Sequence, residues 1–227
     1  NWLYADSKKW LNLGWVDYFS PQLYWEIGDP GQQYEVLLPW WVSQNWAGRH
    51  VWPSNFTSKL DGTASAWPAS AILDQVDMTR ATPGATGNVH FSMRAFTQNR
   101  QSIRTLLKAN QYSQPALVPR SPWLDNLPPL SPTVSYSLNR SLGQHILNWS
   151  FNGSEPAAQT VVAQLIGTEW RYQVFGPITT SLAVPVKNSG KALRAFAVAT
   201  VDRLGNQSPW VPRVLDSSVV SSPVRDR

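Results

Sequence analysis

The stretch WVDYFSPQLYW, residues 15–25, is an almost continuous apolar run that ends in two large aromatic residues. Such a run predicts a strand that is buried on both faces of a parallel sheet, because helices cover both sides of sheets of that kind. Two further runs, RHVWPSNF at residues 49–56 and GNVHFSMRAF at residues 87–96, predict two more strands. Helical patterns alternate with these runs, and this alternation is typical of a parallel α/β fold.

Four segments carry the signals of helices. Asp6 can cap the first of them, and Gly48 can end the second. Trp40 and Trp41 lie within the second segment, where they are predicted to pack the helix against the sheet. The predicted helices are SKKWLNLG, GQQYEVLLPWWVSQNWAG, ASAILDQVDMTRAT and NRQSIRTLLKAN.

The pattern changes at a proline-rich stretch, PALVPRSPWLDNLPPLSP, where proline fixes its own backbone and restricts the residue before it. We therefore predict a first domain at 1–114, a linker at 115–131, a second domain at 132–215 and a flexible tail at 216–227. Short strands separated by Gly, Asn and Pro turns predict an all-β sandwich. The predicted strands are TVSYSL, QHILNWSF, TVVAQLIG, EWRYQVF, SLAVPVK, ALRAFAVATVD and QSPWVP.

Composition argues against several classes of function. The formal net charge is +5, but only 15% of the residues are charged and no dense Lys/Arg run occurs, so no nucleic-acid partner is expected. The chain has no cysteine and its 3 histidines are far apart, so neither a metal site nor a cofactor is expected. No apolar run approaches the ~20 residues of a membrane span. The 13 tryptophans are unusual, and those of the first half favour a carbohydrate-binding surface, because flat rings stack on sugars.

Four stretches together resemble the glycosyl-hydrolase-10-like family of bacterial proteins. They are YADSKKWLNLGWVDYFSPQLYW, the WW pair at 40–41, GNVHFS and PALVPRSPWLDNLPP. These stretches cover most of residues 4–129. The motif PQLYW followed by PALVP and PWLDN is specific for the family when the motifs occur in this order. The second half resembles a fibronectin type III domain, at Trp149 and at AVATVDRLGNQSPW, although unrelated proteins share that fold. This resemblance implies that Trp149 packs in the core of the sandwich.

The family resemblance implies a TIM (β/α)8 barrel in which the runs at 15–25, 49–56 and 87–96 would be strands 6, 7 and 8. Such a barrel needs about 250 residues, so the resemblance implies its C-terminal portion, followed by a fibronectin III/Ig-like sandwich. The expected partners are a glycan substrate and the N-terminal part of the barrel. The expected full-length protein is an O-glycosyl hydrolase of the bacterial cell envelope, periplasmic or secreted, which acts on a glycan such as peptidoglycan strands. The 227-residue chain alone is expected to be inactive.

In a TIM barrel the active site lies at the C-terminal ends of the strands. Aromatic side chains there can stack on sugar rings, and polar side chains can bond hydroxyl groups or a carboxylate. A structural ion pair stays open as the alternative role of Arg94. The expected substrate-binding residues are Tyr24, Trp25, Trp52, Asn55, Ser92 and Arg94.

Glu26 is the one acidic residue that lies near the end of a predicted strand, and Asp29 follows it in the loop. Glycosidases usually need two carboxylates that flank the scissile bond. The resemblance implies that the family's acids lie on an earlier strand and that relatives carry proline in place of Glu26. Three roles stay open for Glu26: catalytic acid or base, substrate-binding acid, or solvated acid at the rim. The alternative function for the chain is a non-catalytic glycan-binding or scaffold module.

Overall fold

A computed structural model describes residues 4–151, 153 and 157–216. The chain divides into two compact units, Asn1–Ser113 and Gln114–Arg227. The first unit combines helices with short parallel strands, and the second is all-β. Among the described residues, no helix is both long and apolar enough to cross a bilayer. The predicted tail at 216–227 lies outside the described residues except for Asp216, whose Oδ2 accepts a 3.0 Å hydrogen bond from Arg194.

The helices of the first unit begin with a capped turn. Asp6 Oδ1 accepts a 3.0 Å hydrogen bond from the backbone nitrogen of Lys9, which confirms Asp6 as the predicted cap. The helices are α1 (Ser7–Asn12), α2 (Tyr34–Ser43), α3 (Ala69–Ala81), α4 (Met93–Thr97) and α5 (Ile103–Ala109), with 3-10 turns at Thr57–Lys59 and Arg100–Ser102. The strands are β1 (Tyr18–Phe19), β2 (His50–Val51), β3 (Ser54–Asn55) and β4 (Val89–His90).

The strands of the first unit pair in parallel, as the strand–helix alternation predicts. Strand β1 pairs with β2, with Tyr18 opposite His50, and β3 pairs with β4, with Ser54 opposite Val89. A further parallel bridge joins Gln22 to Ser54. Three runs of chain therefore lie side by side with the run at 50–55 in the middle, and helices α2 and α3 connect successive runs.

These strands are much shorter than the sequence predicts. Proline has no backbone N–H to donate to a neighbouring strand, and regular strand structure is interrupted at Pro21 and Pro53. In the third run the strand ends at His90 and helix α4 begins at Met93, where a continuous strand is predicted. The prediction that the first run is buried on both faces is also wrong, because Tyr18 is 53% exposed.

Helices cover one face of the parallel runs. Leu23 and Val51 pack against α2 in a buried apolar cluster. Side chains alternate along a strand, so His50, Trp52 and Ser54 lie on the opposite face from Val51. A second buried cluster joins α3 to α5 and contains Leu60, Trp67, Ala69, Ile72, Val76, Ile103 and Leu107.

Helix α2 departs from its prediction in two ways. It ends at Ser43 instead of continuing to Gly48. Trp41 packs on Phe19 with ring centroids 4.6 Å apart, which confirms its predicted contact with the sheet. Trp40 is 45% exposed, so the same prediction is wrong for that residue. Successive helix positions point about 100° apart, and only one of two adjacent residues can face the sheet squarely.

The second unit consists of two antiparallel sheets. Its strands are β5 (Thr133–Asn139), β6 (Gln144–Ser150), β7 (Gln159–Ile166), β8 (Glu169–Phe175), β9 (Ser181–Pro185), β10 (Lys187–Asn188), β11 (Lys191–Val201) and β12 (Val211–Val214). One sheet has the order β5-β6-β9. The other has the order β10-β11-β7-β8, with β12 paired to β11. The last strand begins later than the predicted QSPWVP.

Both sheets contribute to one buried apolar cluster, so they face each other as in a sandwich. Leu147 and Trp149 come from one sheet, and Val162 and Phe196 come from the other. Trp149 is 3% exposed, and its indole nitrogen donates a 3.0 Å hydrogen bond to the carbonyl oxygen of Thr179. The predicted core tryptophan is therefore confirmed.

The proline-rich segment at 115–131 is irregular and is bound to the turn that joins β11 to β12. Asn206 in that turn is fully buried. Its Nδ2 donates to the carbonyl oxygen of Asp125 at 3.1 Å, and its Oδ1 accepts from Arg120 Nε at 3.2 Å. The backbone nitrogen of Ser121 also donates to the carbonyl oxygen of Leu204 at 2.9 Å. The segment is thus held as part of the second unit.

Candidate functional site

Three aromatic rings meet where the parallel runs of the first unit end. The ring of Tyr24 stacks on Phe56 with centroids 4.5 Å apart, and on Phe91 with centroids 5.9 Å apart. Each ring comes from a different run, and parallel strands end at the same edge of a sheet. We call Tyr24, Phe56 and Phe91 the aromatic triad. Tyr24 is one of the residues that the sequence predicts for this site. Phe56 and Phe91 are not, and each lies within a predicted strand, at 49–56 and 87–96.

The aromatic triad presents ring surface to solvent and is supported from behind. Phe91 is 51% exposed. The ring of Trp67, which is buried, meets Phe56 edge-on with centroids 6.1 Å apart. The hydroxyl groups of Tyr24 and Ser54 share a hydrogen bond of 3.4 Å. An exposed ring held in a fixed orientation is suited to stacking on the apolar face of a sugar.

A buried polar network lies behind the triad and includes Asn55. Asn55 Nδ2 donates to Gln75 Oε1 at 3.0 Å and to the hydroxyl oxygen of Tyr34 at 3.2 Å. Gln75 Nε2 in turn donates to the carbonyl oxygen of Trp25 at 2.8 Å. Asn55 is fully buried, whereas the sequence predicts that its side chain contacts a sugar. Its side chain faces the helices, where it positions the end of the first run.

Tyr34 is the phenol at the centre of this network. Its hydroxyl shares a 2.8 Å hydrogen bond with the hydroxyl of Thr79, and the ring is fully buried. Burial disfavours the phenolate and raises the pKa of Tyr34 to about 12, against the smaller opposing effect of its hydrogen bonds. Tyr34 is therefore neutral at physiological pH and acts as a structural donor and acceptor.

The two predicted tryptophans lie differently. Trp25 is half-buried directly after Tyr24, and its carbonyl oxygen is the acceptor from Gln75. Trp52 stacks on Tyr18, with centroids 4.7 Å apart, and on His50, with centroids 5.1 Å apart. Trp52 precedes the triad residue Phe56 by four positions in the same run, so Trp52 lies further from the strand ends than the triad does.

Ser92 and Arg94 follow the end of the third run. Ser92 Oγ accepts a 3.3 Å hydrogen bond from Ser58 Oγ, and the Ser92 carbonyl oxygen accepts one of 3.3 Å from Thr57. Arg94 is exposed, and its guanidinium makes no ion pair with the residues that the structure describes. Arg94 is thus available to a ligand near Phe91.

Glu26 lines an open depression beside the start of helix α3. Its volume is about 160 Å³, and a second carboxylate, that of Asp74, lines it too. Sequence reasoning did not select Asp74, because it lies on a helix rather than at a strand end. The remaining lining residues are Ile27, Pro68, Ser70 and Ala71.

His90 is close to the site but faces away from it. Its Nε2 shares a 2.8 Å hydrogen bond with the hydroxyl of Tyr112, and burial lowers the pKa of His90 to about 4. A neutral imidazole that is bound to a phenol in this way joins the third run to the chain that follows α5. In the described part of the chain, no group of three or more His, Asp or Glu side chains could hold a metal ion.

The chain was compared with known proteins. No family model matches it. It is 34% identical over 137 residues to glycosyl hydrolase YngK of Bacillus subtilis (strain 168), covering 59% of this chain and 27% of the relative. It is 42% identical over 99 residues to glycosyl hydrolase DigH of Escherichia coli (strain K12), covering 39% of this chain and 22% of the relative. The chain is thus similar to part of two proteins named glycosyl hydrolases, and it spans about a quarter of the length of these relatives.

Solved structures show only distant likeness. The spore cortex lytic enzyme SleM of Clostridium perfringens is 12% identical, with a TM-score of 0.33, over 81% of this chain and 74% of that one. The glycoside hydrolase domain of Endo-D from Streptococcus pneumoniae R6 is 19% identical, with a TM-score of 0.30, over 42% of this chain and 16% of that one.

Proposed function

We propose that the chain is the C-terminal part of a glycoside hydrolase that acts on a bacterial glycan, with the glycan strands of peptidoglycan as the first candidate. The observation that carries this proposal is the aromatic triad, in which three successive parallel runs each contribute a ring at the same edge. Its supporting context is the similarity to curated glycosyl hydrolases. The full protein would work in the cell envelope, periplasmic or secreted.

The first unit would supply strands 6 to 8 of a TIM barrel. Three side-by-side parallel runs with connecting helices on one face support this assignment. The N-terminal part of the barrel would then be the partner that continues the sheet beyond β1 and covers the face that carries Tyr18 and Trp52. The second unit would be a fibronectin type III-like accessory domain, which its two antiparallel sheets and the core position of Trp149 support.

The catalytic carboxylates would lie mainly outside this chain. Glu26 is the acid that follows the end of a parallel run, and the triad neighbours Ser54, Ser92 and Arg94 are not acids. We assign Glu26 to the rim of the cleft, where it would contact a glycan without exchanging a proton. The triad would stack on sugar rings, and Arg94 would bind a carboxylate or hydroxyl group of the glycan.

Hydrolysis by two forms of the protein tests the missing acids. The 227-residue chain and a longer form that includes the preceding sequence would be incubated with denuded peptidoglycan strands, and released fragments would be counted by mass spectrometry. The longer form should hydrolyse the strands, and the short chain should show little or no turnover. Equal turnover by both forms would contradict the proposal that essential acids precede residue 1.

Binding by the short chain tests the role of the triad. Replacing Phe91 or Tyr24 by alanine should weaken binding of chitooligosaccharides or denuded strands about tenfold, since one ring–ligand stack contributes roughly 1–1.5 kcal/mol. Tyr136→Ala is the matched control, because Tyr136 is an exposed aromatic of the second unit. Equal losses in control and triad variants would remove the triad from the proposal.

A non-catalytic glycan-binding module is the second candidate. The observation that favours it is that Glu26 is the one acid among the predicted strand-end residues, while the nearby Asp74 lies on helix α3. Glu26→Gln in the longer form separates the two candidates when compared with Asp74→Asn. Loss of turnover with retained binding would make Glu26 catalytic. A longer form that binds denuded strands but never hydrolyses them would identify a binding module, and one that does neither would favour a scaffold.

A further inference from the structure

A second aromatic surface lies away from the triad, on helices α1 and α2 and the turns that follow them. Five large apolar side chains there are exposed, from 38% for Trp10 to 76% for Trp46. Two lysines accompany them. We call this the Trp–Lys surface, and its members are Trp10, Leu13, Trp15, Trp40 and Trp46 with Lys8 and Lys9.

Direct contacts make this surface continuous. The ammonium of Lys8 lies 6.0 Å from the ring centroid of Trp40, which joins α1 to α2. The ammonium of Lys9 lies 5.7 Å from the ring centroid of Trp15. Arg49 Nη2 donates a 3.1 Å hydrogen bond to the carbonyl oxygen of Gly14, which joins the turn that carries Trp15 to the chain that follows Trp46.

The Trp–Lys surface and the triad lie at opposite ends of the parallel runs. Trp15 and Trp46 come just before β1 and β2 begin, whereas the triad comes where the runs end. Parallel strands all begin at one edge of the sheet and all end at the other. The Trp–Lys surface is therefore separate from the candidate glycan site within the first unit.

The chemistry of this surface fits a lipid headgroup region better than a sugar. Indole rings and lysines with apolar stems are the side chains that collect at the boundary between headgroups and acyl chains. Leu13 is aliphatic and 56% exposed, and it offers an acyl chain a contact that no sugar ring needs. Lysine ammonium groups also partly cover the ring faces of Trp15 and Trp40 on which a sugar would stack.

Neighbouring polar groups point to the same choice. Sugar recognition needs free amide or hydroxyl groups beside the rings. Here the side-chain oxygen of Asn45 accepts from the backbone nitrogen of Arg49 at 2.8 Å, and its nitrogen donates to the carbonyl oxygen of Arg49. Ser43 Oγ donates to the carbonyl oxygen of Trp40 at 2.7 Å. Both side chains are thus engaged within their own turn.

We propose that the Trp–Lys surface docks this protein onto an anionic lipid bilayer. The indole rings and Leu13 would enter the headgroup–acyl boundary, and Lys8 and Lys9 would pair with lipid phosphates. Bound in this way, the first unit would point its triad away from the bilayer. The proposal does not depend on hydrolysis, because vesicle binding by this surface needs no substrate.

Vesicle partitioning of the full 227-residue chain tests the proposal. Vesicles of phosphatidylcholine and phosphatidylglycerol in equal parts should bind the chain and shift its tryptophan emission to the blue, whereas phosphatidylcholine alone should bind it far less. The double variant Lys8→Glu with Lys9→Glu should lower the partition coefficient by about thirtyfold or more, from the attraction of each lysine to anionic lipid. Trp15→Ser with Trp46→Ser should weaken binding to both vesicle types.

Matched controls keep the result interpretable. Arg104→Glu with Lys108→Glu reverses two exposed charges on α5 and should retain binding, and circular dichroism would verify the fold of each variant. Three results would overturn the proposal. They are absence of binding to anionic vesicles by the unmodified chain, equal losses in the α5 control, and blue-shifted emission with denuded glycan strands but not with vesicles. A dimer in sedimentation that the Trp variants dissociate, without vesicle binding, would assign the surface to a second copy.

Discussion

The side-chain nitrogen of Gln75 lies 2.8 Å from the carbonyl oxygen of Trp25, so helix α3 holds the chain directly after Tyr24. Gln75 is fully buried, and its oxygen is also an acceptor for Asn55 at 3.0 Å. One helix side chain thereby connects the ends of two parallel runs. This connection holds the backbone next to the triad residue Tyr24, and the loop beyond it is held by a 2.8 Å hydrogen bond from the backbone nitrogen of Gly28 to Glu35 Oε1.

Gln75→Leu should destabilise the first unit by about 1–3 kcal/mol, because the Trp25 carbonyl loses its side-chain donor and Asn55 Nδ2 keeps its bond to Tyr34 but loses the one to Gln75. Urea unfolding followed by tryptophan fluorescence would measure the change. Asp74→Asn, on the exposed side of the same helix, should change the free energy of unfolding by less than about 0.5 kcal/mol. A Gln75→Leu protein as stable as this control would show that the bond has no structural role.

Tyr34 predicts an alkaline loss of stability. Its pKa is about 12 in the folded chain against 10.0 for a free tyrosine. Between these values the unfolded state loses its proton first, so the free energy of unfolding falls as the pH rises through this window and is unaffected below it. Tyr34→Phe should be about 1–2 kcal/mol less stable at pH 7, through lost hydrogen bonds, and should show a shallower alkaline slope. Identical alkaline slopes of the free energy of unfolding in the two proteins would contradict this role of Tyr34.

His90 predicts a loss of stability in mild acid. Its pKa is about 4 in the folded chain against 6.5 for a free histidine. As the pH falls from 6.5 towards 4, the unfolded state binds a proton that the folded state does not, so stability falls, on the order of 1–2 kcal/mol for a partly buried ring. His90→Gln should flatten this decline. Burial also lowers the pKa of His50 and His145, so a smaller slope should remain. If the His90→Gln protein loses stability with falling pH as steeply as the unmodified protein, His90 is not the main source of the acid-induced loss.

Gly205 packs closely against the backbone of the proline-rich segment, so a side chain at this position tests how tightly that segment is held. A Cβ at this position would lie 2.6 Å from the carbonyl oxygen of Val118, and the residue has φ +81. Gly205→Ala should destabilise the second unit by more than about 2 kcal/mol and should expose 115–131 to proteases. Limited proteolysis with mass spectrometry would locate the cleavage.

Gly190→Ala is the control for that experiment. Gly190 has φ +78 but nothing lies within 4 Å of its would-be Cβ. The two substitutions therefore share a backbone cost of about 1 kcal/mol and differ in the collision with Val118. Equal effects of both would mean that the proline-rich segment can move aside without loss.

Local signals in the sequence predicted much of the fold. The alternation of apolar runs and helices predicted parallel pairing, and Asp6 was identified as a cap from residue type and position alone. Trp149 was assigned to a core because the resemblance to a fibronectin type III domain implies a core tryptophan on that strand. Strand lengths were overestimated, because apolar character continues through Pro21 and Pro53 although regular pairing does not.

The candidate site was only partly predictable. Tyr24 was identified from its place at the end of an apolar run. Phe91 was missed because a strand was expected to continue through it, and Asp74 because a helix position gives no sign of the cavity it lines. Asn55 was expected at the surface of the site, but the alternation of side chains turns it towards the helices, where Gln75 receives it.

The sequence by itself determined the order of elements, the change from mixed α/β to all-β structure, and the aromatic character of the strand ends. These follow from local periodicity and residue type, which act over a few neighbouring positions. Only the tertiary structure decided that Tyr24 stacks on Phe56 and Phe91, that Gln75 holds Trp25, and that exposed tryptophans gather at the opposite end of the runs. Such contacts join residues that are 30 or more positions apart, and their partners depend on register and packing, which no local pattern encodes.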